Sequence, residues 1–120
     1  MTTFYIKRIY DEPESADGAR VLVDRIWPRG VSKERAQLTA WLKDIAPTSE
    51  LRKWFDHKPE RFKLFEEKYL DELKSNDYAV KQLQEVANEN ISVTLLYAAK
   101  DQKHNHAIVL KHFLEQKRER

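Results

Sequence analysis

Three segments of the chain have the apolar, β-branched pattern of strands. Residues 3–9 are aromatic and β-branched. Residues 19–26 are apolar on both parities at their centre, which is typical of a strand covered on both faces. Residues 91–98 are rich in β-branched and aliphatic side chains. We therefore predict three strands, and we expect Pro28 to end the second because proline cannot donate to a sheet ladder.

Elsewhere, apolar residues recur at spacings of three and four, which indicates helices that bury one face. Ser32 and Asn105 are good N-caps, and Pro47 is a stop signal. Four predicted helices span residues 33–46, 59–73, 77–88 and 106–117. A fifth, short helix is capped by Ser49 and carries Leu51, Trp54 and Phe55. We expect the tail, residues 117–120, to fray.

The alternation of strands and helices predicts the fold class. We expect an α/β fold with a small, mostly parallel three-stranded sheet flanked by about five helices, in a single three-layer-like domain over residues 1–120. Crossovers between parallel strands should be right-handed. Only about nine residues connect the first two strands, which is short for a crossover helix. The pattern therefore leaves the direction of the first strand open.

Composition excludes several kinds of chemistry. The 120-residue chain has no cysteine, so it has no disulfide, no thiolate nucleophile and no cysteine-ligated metal. Its two glycines are Gly18, which falls in a predicted turn, and Gly30; their spacing fits neither a P-loop nor a dinucleotide-binding turn. A Gly-x-Ser-x-Gly nucleophile elbow is absent. We predict neither a metal nor a cofactor.

Charge is balanced along the chain, with 22 Lys and Arg against 20 Asp and Glu. A nucleic-acid-binding protein usually has a clustered basic excess. Residues 20–35 are a local exception, with five basic and two acidic side chains, so a nucleic-acid-binding transcriptional regulator remains an alternative. The first residues have no apolar core of signal-peptide length, and no apolar run approaches membrane-spanning length. We expect a cytoplasmic protein with no membrane partner, and the sequence leaves its oligomeric state open.

Two segments with polar chemistry follow predicted strands. Residues 24–30 leave the second strand, and residues 97–106 leave the third and open a helix. Ligands of parallel α/β sheets bind beyond the carboxyl ends of the strands, so these segments should face each other across one site. We predict that Arg25, Arg29 and Asn105 bind an anion, because guanidinium groups and a helix N-terminus both favour negative charge.

Other residues in these segments would support the anion site or move protons. Asp24 would orient an arginine, Trp27 would support the loop, and Gly30 would turn it back with a positive φ. The candidate proton-transfer residues are His106 and Asp101 in these segments, together with His57, which lies in a predicted interhelix loop that could fold over the strand ends. The predicted ligand is an anionic small molecule, such as a nucleotide or phosphoester, and the site could act as an acid–base enzyme.

Each of these residues also has a structural explanation. Asp24 could simply pair with an arginine, Asn105 could be a plain N-cap, and Trp27 could anchor its loop. The two arginines could be solvated or could fix the loop to a carboxylate. A third alternative is a protein-interaction module in which Trp54 and Phe55 form an exposed anchor.

Three stretches carry a resemblance to a known family. Residues 20–33 contain Trp-Pro-Arg-Gly, residues 51–57 read Leu-Arg-Lys-Trp-Phe-Asp-His, and residues 95–107 begin Leu-Leu-Tyr-Ala-Ala-Lys-Asp. Together they resemble the YeaO-like family, a group of uncharacterised bacterial proteins within a larger family of domains of unknown function. The resemblance implies an α/β fold and no particular activity. Longer members of the wider family have Cys-His-Arg where this chain has Asn105-His106-Ala107, so their chemistry does not carry over.

Overall fold

Four parallel strands form one sheet in a computed structural model that describes residues 2–118. They are β1 (Thr3–Arg8), β2 (Ala19–Leu22), β3 (Ala40–Trp41) and β4 (Ser92–Tyr97), in the spatial order β1-β4-β2-β3. The open question about the first strand is settled, because β1 is parallel to β4. The first two strands are not neighbours: β4 lies between them, so their short connection crosses one strand without a long helix.

Within residues 2–118 the chain forms five α-helices, as predicted. They are α1 (Lys33–Ala36), α2 (Ser49–Phe55), α3 (Phe62–Lys74), α4 (Asp77–Asn88) and α5 (His106–Arg118). Thr48, not Ser49, is the N-cap of α2, since its hydroxyl accepts the Leu51 N–H. Residues 119 and 120 of the predicted frayed tail lie outside the described residues. None of the helices between residues 2 and 118 is long and apolar enough to cross a membrane.

The prediction of one helix over residues 33–46 and of only three strands is wrong. The helix ends after Ala36, where Gln37 takes a left-handed conformation, and Ala40–Trp41 then pairs with β2 as a fourth strand. The edge of β2 would otherwise present unpaired backbone groups, and pairing satisfies them. In this segment the recurrence of apolar residues every three or four positions comes from a strand followed by a 3₁₀ turn over Lys43–Ile45.

The two faces of the sheet are covered unequally. Strands and helices α2 to α5 share the main apolar core, which includes Val21, Val93 and Leu95 from the central strands. The opposite face has a small cluster around Leu22 and Leu96 that is closed by Val31 and Ala36. The central strands are therefore buried on both faces, as their continuous apolar sequences indicate.

Candidate functional site

A cleft of about 640 Å³ opens at the carboxyl ends of β2 and β4. Leu22 pairs with Leu96 in the sheet, so the segments that follow these strands leave it side by side. Eight of the nine predicted site residues line this one cleft: Asp24, Arg25, Trp27, Arg29, His57, Asp101, Asn105 and His106. Gly30 is not among the lining residues, although its φ of 77° confirms the predicted positive φ.

Asp24 and His106 face each other at the base of the cleft. The imidazole Nε2 lies 2.9 Å from the Val23 carbonyl oxygen and 3.1 Å from Asp24 Oδ1. Because a carbonyl only accepts, Nε2 carries a proton. That proton is directed at Val23, which leaves Asp24 Oδ1 buried without a hydrogen bond, while Oδ2 accepts the Ala98 N–H. Asp24 therefore contacts a histidine, and the prediction that it orients an arginine is wrong.

Asp101 organises the loop that precedes α5. Its Oδ1 accepts the backbone N–H groups of Lys103 and His104, and its Oδ2 lies 2.9 Å from His104 Nδ1. These hydrogen bonds hold the pKa of Asp101 below its usual value, and the one from the Lys103 N–H has the largest effect. Since an ionised carboxylate only accepts, Nδ1 of His104 carries a proton.

Asn105 is the buried N-cap of α5. Its Oδ1 accepts the Ile108 N–H, and its Nδ2 donates to the Asp101 carbonyl. Both ends of the side-chain amide are therefore engaged within the protein. What this residue offers the cleft is the start of α5, where the first backbone N–H groups have no partner within the helix.

Arg25 is partly engaged with the backbone. Its Nε donates to the Pro47 carbonyl and its Nη2 to the Ala46 carbonyl, and Nη1 lies 4.0 Å from an Asp44 carboxylate oxygen. The guanidinium thus ties the segment after β2 to the segment before α2. It also leaves a positive charge at the cleft wall, because neutral carbonyls do not cancel it.

Three other basic side chains around the cleft are unpaired. Within residues 2–118, no carboxylate lies within ion-pair distance of Arg29, Arg52 or Lys100, all of which are exposed. Sequence reasoning identified Arg29 and missed the other two, as well as His104. The available signals were the place of Arg52 in the stretch 51–57 and the position of Lys100 directly before Asp101.

His57 lies on the rim of the cleft, in a loop with unusual backbone geometry. Asp56 and His57 have φ values of 49° and 54°, so two consecutive non-glycine residues are left-handed. Such residues are uncommon. The first ends α2, with its N–H bonded to the Arg52 carbonyl, and the second turns the exposed imidazole toward the cleft.

Trp27 anchors the loop after β2. Its indole N–H donates to the Val31 carbonyl, and its ring meets that of Trp41 edge-on with centroids 5.3 Å apart. The Trp41 indole in turn donates to the Asp24 carbonyl. The two rings therefore hold the loop that carries Arg29 by packing and by two hydrogen bonds to its backbone.

The structure also bears on the alternative functions. Arg20, the first basic residue of the 20–35 segment, is 4% exposed and paired with Asp17, so the basic residues of this segment do not form one continuous surface. Phe55 is buried, and Trp54 has Arg61 and Lys68 over its ring, so these side chains do not form an exposed aromatic anchor. Among residues 2–118, no three His, Asp or Glu side chains converge as a metal site requires.

Comparisons with known proteins place the chain in a family. A family model described as "Inactive DUF488-N3 subclade" matches residues 3–120. The uncharacterized protein YeaO of Escherichia coli (strain K12) is 44% identical over 108 residues, which cover 90% of this chain and 93% of that protein. The uncharacterized protein Rv3073c of Mycobacterium tuberculosis is 39% identical over 113 residues, or 94% of each chain. No solved structure gives a significant match. The resemblance predicted from the sequence is confirmed, and the chain belongs to the DUF488 family as a YeaO-like member.

Proposed function

We propose that the cleft binds an anionic small molecule, such as a nucleotide or phosphoester, and does not convert it chemically. The observation that carries this proposal is the unbalanced charge of the cleft. Arg29, Arg52 and Lys100 have no carboxylate partner among residues 2–118. An anion placed between such groups gains both Coulomb attraction and charge-assisted hydrogen bonds, which are roughly twice as strong as neutral ones.

The acidic residues of the cleft are outnumbered by its basic residues. Asp24 and Asp101 are the two carboxylates in the lining. Each already faces a histidine and accepts backbone N–H groups. Four basic side chains, those of Arg25, Arg29, Arg52 and Lys100, line the cleft against these two carboxylates, so the formal charge of the lining stays positive.

Binding without turnover is favoured because two of the three predicted proton-transfer residues, His106 and Asp101, are held by the fold. The proton on Nε2 of His106 is directed at the Val23 carbonyl. Asp101 has a lowered pKa, which makes its carboxylate a weaker base. The description of the matching family as an inactive subclade is in keeping with this reading.

Calorimetric titration with AMP and with pyrophosphate tests the proposal. We expect binding that weakens as salt rises, because exposed charges are screened over about 8 Å at physiological ionic strength. An Arg29→Gln/Arg52→Gln variant should lose most of the affinity. The matched control, Lys53→Gln/Lys63→Gln, removes the same charge from exposed positions outside the cleft and should bind like the wild type.

Two results would overturn the proposal. The first is that neither anion binds the wild-type protein at low salt. The second is that the two double variants lose affinity equally, since the cleft would then contribute no more than the general surface charge. Conversion of the ligand, followed by ³¹P NMR over hours, would instead contradict the absence of turnover.

A further inference from the structure

We infer that the ligand of this cleft carries a flat apolar ring system in addition to its anionic group, and is neither a sugar phosphate that lacks such a ring nor a bare oxyanion. This inference rests on the proposed function and narrows the class of ligand. The first observation is size: at about 640 Å³, the cleft falls in the range of roughly 300–1,000 Å³ that holds drug-sized molecules. A single oxyanion at the rim would leave most of it filled with water.

The second observation is the apolar wall of the cleft. Nonpolar side chains line it from the loop after β2, from α2 and α3, and from the segment after β4; they include Ile26, Trp27, Pro28, Phe55, Phe65 and Ala98. Ile26, four residues after the buried strand β2 ends, is 57% exposed. A ring lying against this wall would remove apolar surface from water, which is favourable, whereas the hydroxyl groups of a sugar would gain no partner there.

The third observation concerns the arginines. Guanidinium planes stack on aromatic rings, and five basic side chains of this protein lie over its own aromatic rings: Arg8, Lys43, Arg61, Lys68 and Lys117. Among residues 2–118, neither Arg29 nor Arg52 makes such a contact. Their planar faces thus stay available, so one arginine can stack on a ligand ring while another pairs with its anionic group.

These observations together place the two halves of the ligand. The anionic group belongs among the unpaired cations of the rim, and the ring belongs against the nonpolar wall that begins at Ile26. A ligand with only one of the two features would leave the other half of the cleft unmatched. Small molecules bind best where a few placed polar groups and a larger apolar lining act together.

The test compares three phosphates whose remaining parts differ. Phenyl phosphate, glucose 6-phosphate and inorganic phosphate are each titrated calorimetrically at low salt. We expect phenyl phosphate to bind roughly tenfold more tightly than glucose 6-phosphate, because only its ring can cover the nonpolar wall. Ile26→Ser should reduce the ratio of the two affinities, for phenyl phosphate over glucose 6-phosphate, several-fold. Ile91→Ser is the matched control, because Ile91 is 83% exposed and does not line the cleft.

Each outcome decides the inference. Equal affinity for phenyl phosphate and glucose 6-phosphate would overturn it while leaving anion binding intact. An unchanged preference in Ile26→Ser, or the same loss in Ile91→Ser, would also overturn it. If none of the three phosphates binds and AMP and pyrophosphate also fail, the proposed function itself falls, and this inference falls with it.

Discussion

Nε2 of His106 lies 3.1 Å from Oδ1 of Asp24, and this contact joins the carboxyl end of β2 to the first turn of α5. The other carboxylate oxygen of Asp24 accepts the Ala98 N–H from the segment after β4. One side chain thus links the ends of the two central strands to the helix that closes the cleft. The cleft consequently lies at the ends of the buried central strands β2 and β4, whose packing in the core fixes the positions of the residues that line it.

Replacing Asp24 with Asn tests this linkage. The asparagine oxygen can still accept the Ala98 N–H, but its amide N–H groups would then face the Nε2–H of His106, so two donors meet. We expect unfolding in urea to show a loss of about 1–3 kcal/mol, the cost of an unsatisfied buried polar group. Asp71→Asn, on the exposed side of α3, should change stability by less than about 0.5 kcal/mol.

The same variant has a spectroscopic signature. Long-range ¹H–¹⁵N spectra of the wild type at high pH should show His106 protonated at Nε2, because the Val23 carbonyl accepts from that atom. In Asp24→Asn we expect this signal to shift or broaden as the ring reorients. A wild-type spectrum with the proton on Nδ1 would contradict the hydrogen bond to Val23.

A second prediction concerns the charged cluster of Lys7, Asp17 and Arg20, which lies on the face of the sheet opposite the main core. Asp17 Oδ2 lies 2.6 Å from Arg20 Nη1, and Lys7 pairs with the same carboxylate. Arg20 is buried, and its Nη2 finds no hydrogen-bond acceptor among residues 2–118. Asp17→Asn should therefore cost about 3–5 kcal/mol in unfolding free energy, because it leaves a buried guanidinium without its counter-ion. Glu14→Gln, at the exposed partner of Lys7, should cost about 0–1 kcal/mol.

The Asp17 cluster also sets a direction for acid stability. Burial raises the pKa of Asp17, but the Glu14 N–H, Lys7 and Arg20 together outweigh it, so the pKa lies below its usual value of 3.8. A carboxyl with a depressed pKa contributes stability above its unfolded pKa and loses it as pH falls through the folded one. We expect the wild type to lose stability below about pH 4 more steeply than Asp17→Asn. Parallel curves for the two proteins would contradict this.

The sequence located the ends of β1 and β4 to within one residue because their signals are local, whereas β2 ends at Leu22, four residues before the predicted bound of 26, and Pro28 does not end it. A continuous apolar run followed by charged residues identified both β2 and β4, and ligand sites in parallel sheets lie at these ends. That single topological rule brought together seven of the nine chosen residues in one cleft, and His57, from the loop after α2, is the eighth that lines it. Arg52 and Lys100 were missed because an exposed cation has no periodicity to distinguish it from ordinary surface charge.

The errors arose where tertiary contacts override the local pattern. The segment after Ala36 has helical spacing, yet the backbone N–H of Thr39 donates to the Arg20 carbonyl and starts a strand at the edge of β2. Spacing alone could not show that Asp24 contacts His106, which lies 82 positions later in the chain. Both depend on pairings between distant parts of the chain, for which a single sequence carries no direct signal.

Asn105 provides a third prediction. Asn105→Ala removes the cap on the Ile108 N–H and the donor to the Asp101 carbonyl. We expect a loss of about 1–2 kcal/mol in urea unfolding. Asn105→Ser keeps a capping oxygen and should recover part of this loss. If the two variants were equally unstable, the cap would not be the source of the effect.

The two glycines make the last prediction, because their surroundings differ although both have positive φ. A Cβ on Gly18 would lie 2.8 Å from the Ser92 Cβ and closer still to the Ser92 carbonyl oxygen, so Gly18→Ala adds a clash with β4 to the backbone strain. We expect a cost of about 3 kcal/mol or more. A Cβ on Gly30 would meet nothing within 4 Å, so Gly30→Ala should cost only the strain of a left-handed residue, about 1–2 kcal/mol. Thermal unfolding of both variants checks the order. From the sequence alone, Gly18 is interpreted as an ordinary turn glycine. A smaller loss of stability in Gly18→Ala than in Gly30→Ala would mean that the close approach to Ser92 does not hold in solution.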